Sequence, residues 1–94
     1  MSQTVARRLR ITGVVQGVGF RYWTQREAQR RRLRGWVRNR HDGSVEALII
    51  GDDQAVEDMI RACRTGPRSA RVDDVAATPD ADDGCSGFRQ LASA

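Results

Sequence analysis

Ninety-four residues, 39% hydrophobic and 30% charged, suffice for one small core and leave no room for a separate substrate domain. No stretch approaches the roughly 18 apolar residues of a membrane span and residues 1–8 carry no apolar leader, so a soluble, cytoplasmic protein with no membrane partner is expected. The net charge of +4 is unevenly placed, with eleven arginines against Glu27 alone in residues 1–40, and five arginines against eleven acids in residues 41–94.

Leu9 and Ile11 alternate with Arg8, Arg10 and Thr12, the period-two pattern of a strand with one buried face. The strand runs into Gly13-Val14-Val15-Gln16-Gly17-Val18-Gly19-Phe20-Arg21, where three glycines among β-branched residues predict a tight backbone concavity that opens a helix. Successive N–H groups in such a turn point inward, the helix start adds the positive end of its dipole, and Arg21 adds a fixed charge with paired donors. The combination is a cradle for an anion, with phosphate as the expected guest. From Arg21 to about Leu33 the chain lacks Gly and Pro and predicts a helix, with Trp23 and Ala28, backed by Phe20, as its core contacts.

Residues 33–39 and 44–50 flank Arg40-His41-Asp42-Gly43, and Asp-Gly marks a hairpin, so the second and third strands pair antiparallel. Val56, Met59, Ile60 and Cys63 recur at helical spacing, with Asp52 or Asp53 as cap and Gly66-Pro67 as stop. Residues 70–77 read as a strand, 80–84 as a polar loop and 87–91 as a short last strand. With one histidine, two cysteines (Cys63 and Cys85) and no CxxC pair, neither a disulfide scaffold nor a metal site is expected.

The order β-α-β-β-α-β is the split βαβ, or ferredoxin-like, arrangement: an α+β fold with a four-stranded antiparallel sheet, both helices on one face, and here a short fifth strand. One domain over residues 1–94, with its core at about 5–91, is expected. In this layout the loop after the first strand and the end of the second can approach, so Arg21 and Asn39 can reach one anion. Arg21 would bind, and Asn39 would orient, because a neutral amide accepts from a water while donating to a phosphoryl oxygen. That pairing suits hydrolysis by a positioned water. Without an array of acids, the substrate that fits is an acyl phosphate, whose carboxylate leaving group, with a conjugate acid of pKa ~4, departs without a proton. Stabilising charge on the phosphoryl oxygens is then the main requirement.

In these residues the chain closely resembles the acylphosphatase family. The resemblance rests on the glycine loop through Arg21, on Leu33-Arg34-Gly35-Trp36-Val37-Arg38-Asn39, on Asp42-Gly43-Ser44-Val45-Glu46 and on Ala70-Arg71-Val72-Asp73. It implies metal-independent hydrolysis of the carboxyl–phosphate bond with no cofactor. Arg21 and the backbone N–H groups of Gln16, Gly17, Val18, Gly19 and Phe20 would bind the phosphoryl group, and Asn39 would orient the attacking water. The implied partner is a small acyl phosphate and the product inorganic phosphate; a monomer with broad tolerance for the acyl group is expected.

The chain departs from the family pattern at Arg31 and Arg32, where an apolar residue and then glycine commonly close the first helix. A positive φ at Arg32 would cost on the order of 1 kcal/mol. It departs again at Arg40, where a small hydroxyl residue commonly follows the asparagine, and in a last strand less apolar than is usual. His41 reads as a turn residue, since the chemistry needs no base. Two rival readings use the same scaffold. An RNA-binding module would carry aromatics on its third strand, where residues 44–50 have none, so no specific nucleic-acid partner is expected. A non-catalytic anion-binding domain would keep the cradle without turnover.

Overall fold

The computed structural model describes residues 3–94. The elements are β1 (Thr4–Val14), α1 (Phe20–Arg30), β2 (Arg34–Asn39), β3 (Val45–Asp52), α2 (Asp53–Thr65), β4 (Arg71–Pro79) and β5 (Phe88–Gln90). The sheet runs β4-β1-β3-β2-β5, antiparallel throughout except that β5 joins β2 in parallel. This is the expected ferredoxin-like α+β arrangement, with the fifth strand making the sheet mixed. Among the described residues no helix is long and apolar enough to cross a membrane.

Alternation along the strands decides which face meets the helices. Leu9 and Ile11 of β1 stand opposite Ala47 and Val45 of β3, and Val75 of β4 stands opposite Ile11. These residues are buried with Val37, Ile49 and the α2 stripe Val56, Met59, Ile60 and Cys63 in one cluster. Burying a side chain of this size contributes about 1.5–3 kcal/mol. The row Val75, Ile11, Val45 ends on β2 at Asn39, the partner of Val45, so Asn39 lies on the helix side at the rim of the core.

The first helix differs from its sequence reading in two ways. Its buried stripe is Phe20, Thr24 and Ala28, while Trp23 is only partly buried, tilted against Phe20 with ring centroids 5.4 Å apart. Spacing by four selects Thr24, whose hydroxyl is satisfied by donating to the Phe20 carbonyl at 2.8 Å. The helix also stops at Arg30. Leu33 N donates to Ala28 O at 2.9 Å and Arg32 N to Gln29 O at 3.0 Å, the paired bonds of a Schellman stop, with Leu33 buried beyond it. Arg32 therefore sits at φ 58, the left-handed position that glycine occupies without strain.

Gly13 also has a different task from the one its sequence suggests. It lies within β1, opposite a bulge where Thr12 pairs with Asp74 but Gly13 with Val72. A Cβ there would come within 2.1 Å of the Arg71 carbonyl oxygen. Gly13 serves the close approach of β4, not the anion loop. Asp52 takes the N-cap position of α2 without a side-chain cap bond, and Asp53 places a negative charge in the first turn.

The other face of the sheet carries a charged lattice. Glu46 accepts from Arg38 at 2.7 Å, Arg8 at 3.1 Å and Arg40 at 3.2 Å. Arg8 and Arg38 both stand over the Trp36 ring, 5.1 and 4.9 Å from its centroid. The polar loop before β5 folds over this face, where Asp80 pairs with Arg8, Asp82 pairs with Arg34, and Cys85 packs against Ala6, Leu48 and Ile50. Arg10 pairs with Asp42 at 2.7 Å. Burial raises the Glu46 carboxyl, but the hydrogen bonds and charge of Arg38, Arg8 and Arg40 outweigh it and hold the group below its ordinary value.

Two outcomes follow for stability. Arg32→Gly should raise it by about 0.5–1 kcal/mol in urea unfolding, because glycine removes the left-handed strain at a modest entropic cost. Because Glu46 titrates lower when folded, its contribution is complete above the unfolded value of 4.5 and is lost as pH falls through the folded value. Urea midpoints at pH 7 and pH 3 should therefore fall further apart in the wild type than in Glu46→Gln.

Candidate active site

Val15, Gly17, Gly19, Phe20, Arg21, Tyr22, Asn39 and Gln90 line a concavity of about 130 Å³ where the end of β1, the start of α1, β2 and β5 converge. The loop between β1 and α1 forms its floor. Gly17 and Gly19 sit at φ 74 and φ 80 with nothing within 4 Å of a built Cβ, so glycine is required there by backbone conformation and not by crowding. A side chain in that region costs roughly 1–2 kcal/mol. Phe20, 1% exposed, anchors the loop in the core, and Val18 packs against the same core.

Among the described residues, the backbone N–H groups from Gln16 through Tyr22 donate to no protein acceptor. The first to do so is Trp23 N, to Gly19 O at 3.0 Å. Gly19 caps α1 without a side-chain bond, and the first turn of α1 contains no acid. An uncapped helix start with unused donors favours an anion. Arg21 strengthens this through its place in the lining and not through being unpaired, since several other arginines likewise have no ion pair among the described residues.

What holds the loop is the Gln16 side chain. Its amide nitrogen donates to Arg40 O at 2.7 Å and Ser44 O at 2.9 Å, tying the loop to the β2–β3 turn and so to the strand end that carries Asn39. The turn is itself fixed. Asp42 Oδ1 accepts from Ser44 N at 2.9 Å and from Ser44 Oγ at 2.6 Å, and these hydrogen bonds hold the Asp42 carboxyl below its ordinary value. On the opposite wall Gln25 reaches β5, donating to Phe88 O at 3.0 Å and accepting from Gln90 Nε2 at 2.8 Å.

Arg21 and Asn39, paired on sequence grounds, thus face one concavity. Asn39 Oδ1 is buried and has no hydrogen-bond partner among the described residues. An acceptor in that state calls for a donor from a ligand or water. Of the loop residues, Gly17, Gly19 and Phe20 line the concavity, while Gln16 and Val18 direct their side chains into the protein and keep only their backbone in the loop. Sequence reasoning missed Val15, Tyr22 and Gln90. Tyr22 was legible as the residue after Arg21, whereas Gln90 depends on the parallel addition of β5, which no local pattern signals.

His41 is exposed in the turn and does not line the concavity. The Arg40 guanidinium is drawn to Glu46 on the far face of the sheet, so the departure at this position does not crowd the site. Burial pushes the Cys63 thiol up to about 12 and raises Cys85 as well, which suits neither to nucleophilic work. Among the described residues no group of three or more His, Cys, Asp or Glu could hold a metal ion.

The family model for acylphosphatase matches residues 7–90, nearly the whole of this architecture from β1 to β5. The chain belongs to the acylphosphatase family. It is 61% identical over 75 residues to an acylphosphatase of Nitrobacter winogradskyi, covering 80% of this chain and 76% of the relative. With an acylphosphatase of Rhodospirillum rubrum it shares 55% over 85 residues, covering 90% and 93%. Among solved structures, the acylphosphatase of Bacillus subtilis superposes with a TM-score of 0.90 at 38% identity, over 95% of this chain and 99% of that one. The acylphosphatase reading of the sequence holds, and this chain is a hydrolase.

Gln16→Ala should lower stability by about 1–2 kcal/mol in urea unfolding, the value of two partly buried hydrogen bonds whose carbonyl acceptors keep other partners. Because the bonds lock the loop to the turn, amide exchange from Gln16 to Phe20 should accelerate more than exchange in α2.

Proposed function

We propose that this acylphosphatase binds the phosphoryl group of its substrate in the β1–α1 loop and aims a water at it from Asn39. The observation that carries the reading is convergence. Backbone N–H donors, an arginine and a buried amide oxygen, all without partners among the described residues, meet at one small concavity. The loop and Arg21 stabilise charge on the phosphoryl oxygens. Asn39 Oδ1 accepts a hydrogen bond from the water and fixes its approach.

Attack forms a bond from the water oxygen to phosphorus as the bond to the acyl oxygen breaks. The electron pair leaves on a carboxylate, which needs no proton near neutral pH. Both water protons remain with the departing phosphate. No general base enters this scheme, consistent with His41 lying outside the lining residues.

Hydrolysis of benzoyl phosphate, with a phosphomonoester as control, tests the assignment. Asn39→Ala should lower kcat by about 100-fold or more with competitive inhibition by inorganic phosphate retained, whereas Arg21→Ala should weaken that inhibition at least tenfold. His41→Ala should stay within about twofold of the wild type, and chelator should change nothing. Equal activity in either of the first two variants, or activity lost to chelator and restored by metal, would overturn the scheme.

A further inference from the structure

Tyr22 belongs to two concavities. It forms part of the wall around the loop, and it also heads a groove of about 210 Å³ along the outer face of α1, lined with Trp23, Arg26, Glu27 and Arg30. It is 58% exposed, and among the described residues Val14 is the other large hydrophobic side chain left exposed. The Arg26 guanidinium stands over its ring, 5.7 Å from the centroid, and restrains it. Glu27 is neutralised by Arg30 and Arg31, both at 2.9 Å, so the groove presents a restrained aromatic face with no free carboxylate to repel an acyl phosphate.

We propose that Tyr22 is the platform for the acyl group and makes the enzyme selective for acyl phosphates with an aromatic or similarly flat apolar acyl part. This rests on the phosphoryl site of the preceding section. With phosphorus held in the loop, the acyl carbon lies one bridging oxygen away, so the group attached to it emerges beside the concavity wall. Phe20, the other aromatic in that wall, is buried in the core, which leaves Tyr22 as the ring available for stacking. The acyl end is then recognised by protein, contrary to the broad tolerance expected from the sequence.

The test compares kcat/KM for benzoyl phosphate and acetyl phosphate. In Tyr22→Ala the benzoyl-to-acetyl ratio should fall about three- to tenfold, the worth of one aromatic contact. Tyr22→Phe, which keeps the ring, should preserve the ratio and guards against a loss caused by misfolding. An unchanged ratio in Tyr22→Ala, whatever happens to the absolute rates, would overturn the proposal and leave the acyl group in water. Failure of the wild type to hydrolyse either compound would instead overturn the phosphoryl site, and this inference with it.

Discussion

A loop that offers its backbone donors to a ligand cannot use them to hold itself in place. The N–H groups from Gln16 through Tyr22 have no acceptor among the described residues, so the shape of the loop must come from other sources. Three supply it. Gly17 and Gly19 permit left-handed backbone without steric cost, Phe20 is fixed in the core, and the Gln16 amide clamps the loop to the turn after β2. The clamp matters most for chemistry, because the same turn ends the strand bearing Asn39. Binding groups and water-orienting group are thereby built as one unit, with the rigidity that positioning requires.

Charge follows a comparable logic on the opposite face. The first forty residues are strongly basic, which alone would suggest adhesion to nucleic acid. Folding brings the acids of the second half onto them: Glu46 bridges three arginines, and Asp42, Asp80 and Asp82 take further partners. The sheet surface that an RNA-binding relative of this topology would present is here covered by the loop before β5 and occupied by internal ion pairs. Arg21 lines the concavity and has no ion pair among the described residues, so its positive charge is available there, where the helix dipole adds to it.

One local conflict was resolved by tertiary packing. Arg32 disfavours the left-handed conformation, yet the helix must stop there for Leu33 to enter the core and β2 to start in register. Burial of Leu33 and the two bonds of the stop outweigh a strain of about 1 kcal/mol. Such strain far from the concavity bears on stability and leaves the site geometry untouched.

Much of this protein was legible in its residues. Period-two alternation in β1, the Asp-Gly hairpin and the apolar stripe of α2 determined the element order, since side-chain spacing alone decides which face a strand or helix can bury. Arg21 and Asn39 could be paired because the topology brings the start of α1 to the end of β2. The tertiary structure decided what depends on partners distant in sequence: Gly13 serving β4, Thr24 replacing Trp23 in the buried stripe, Gln16 acting as the clamp, and β5 adding in parallel to carry Gln90. Those outcomes rest on contacts between segments twenty to seventy residues apart, as from Gln16 to Arg40 or from Gln25 to Gln90. A local pattern specifies which groups a segment offers, and only packing specifies which of them find a partner.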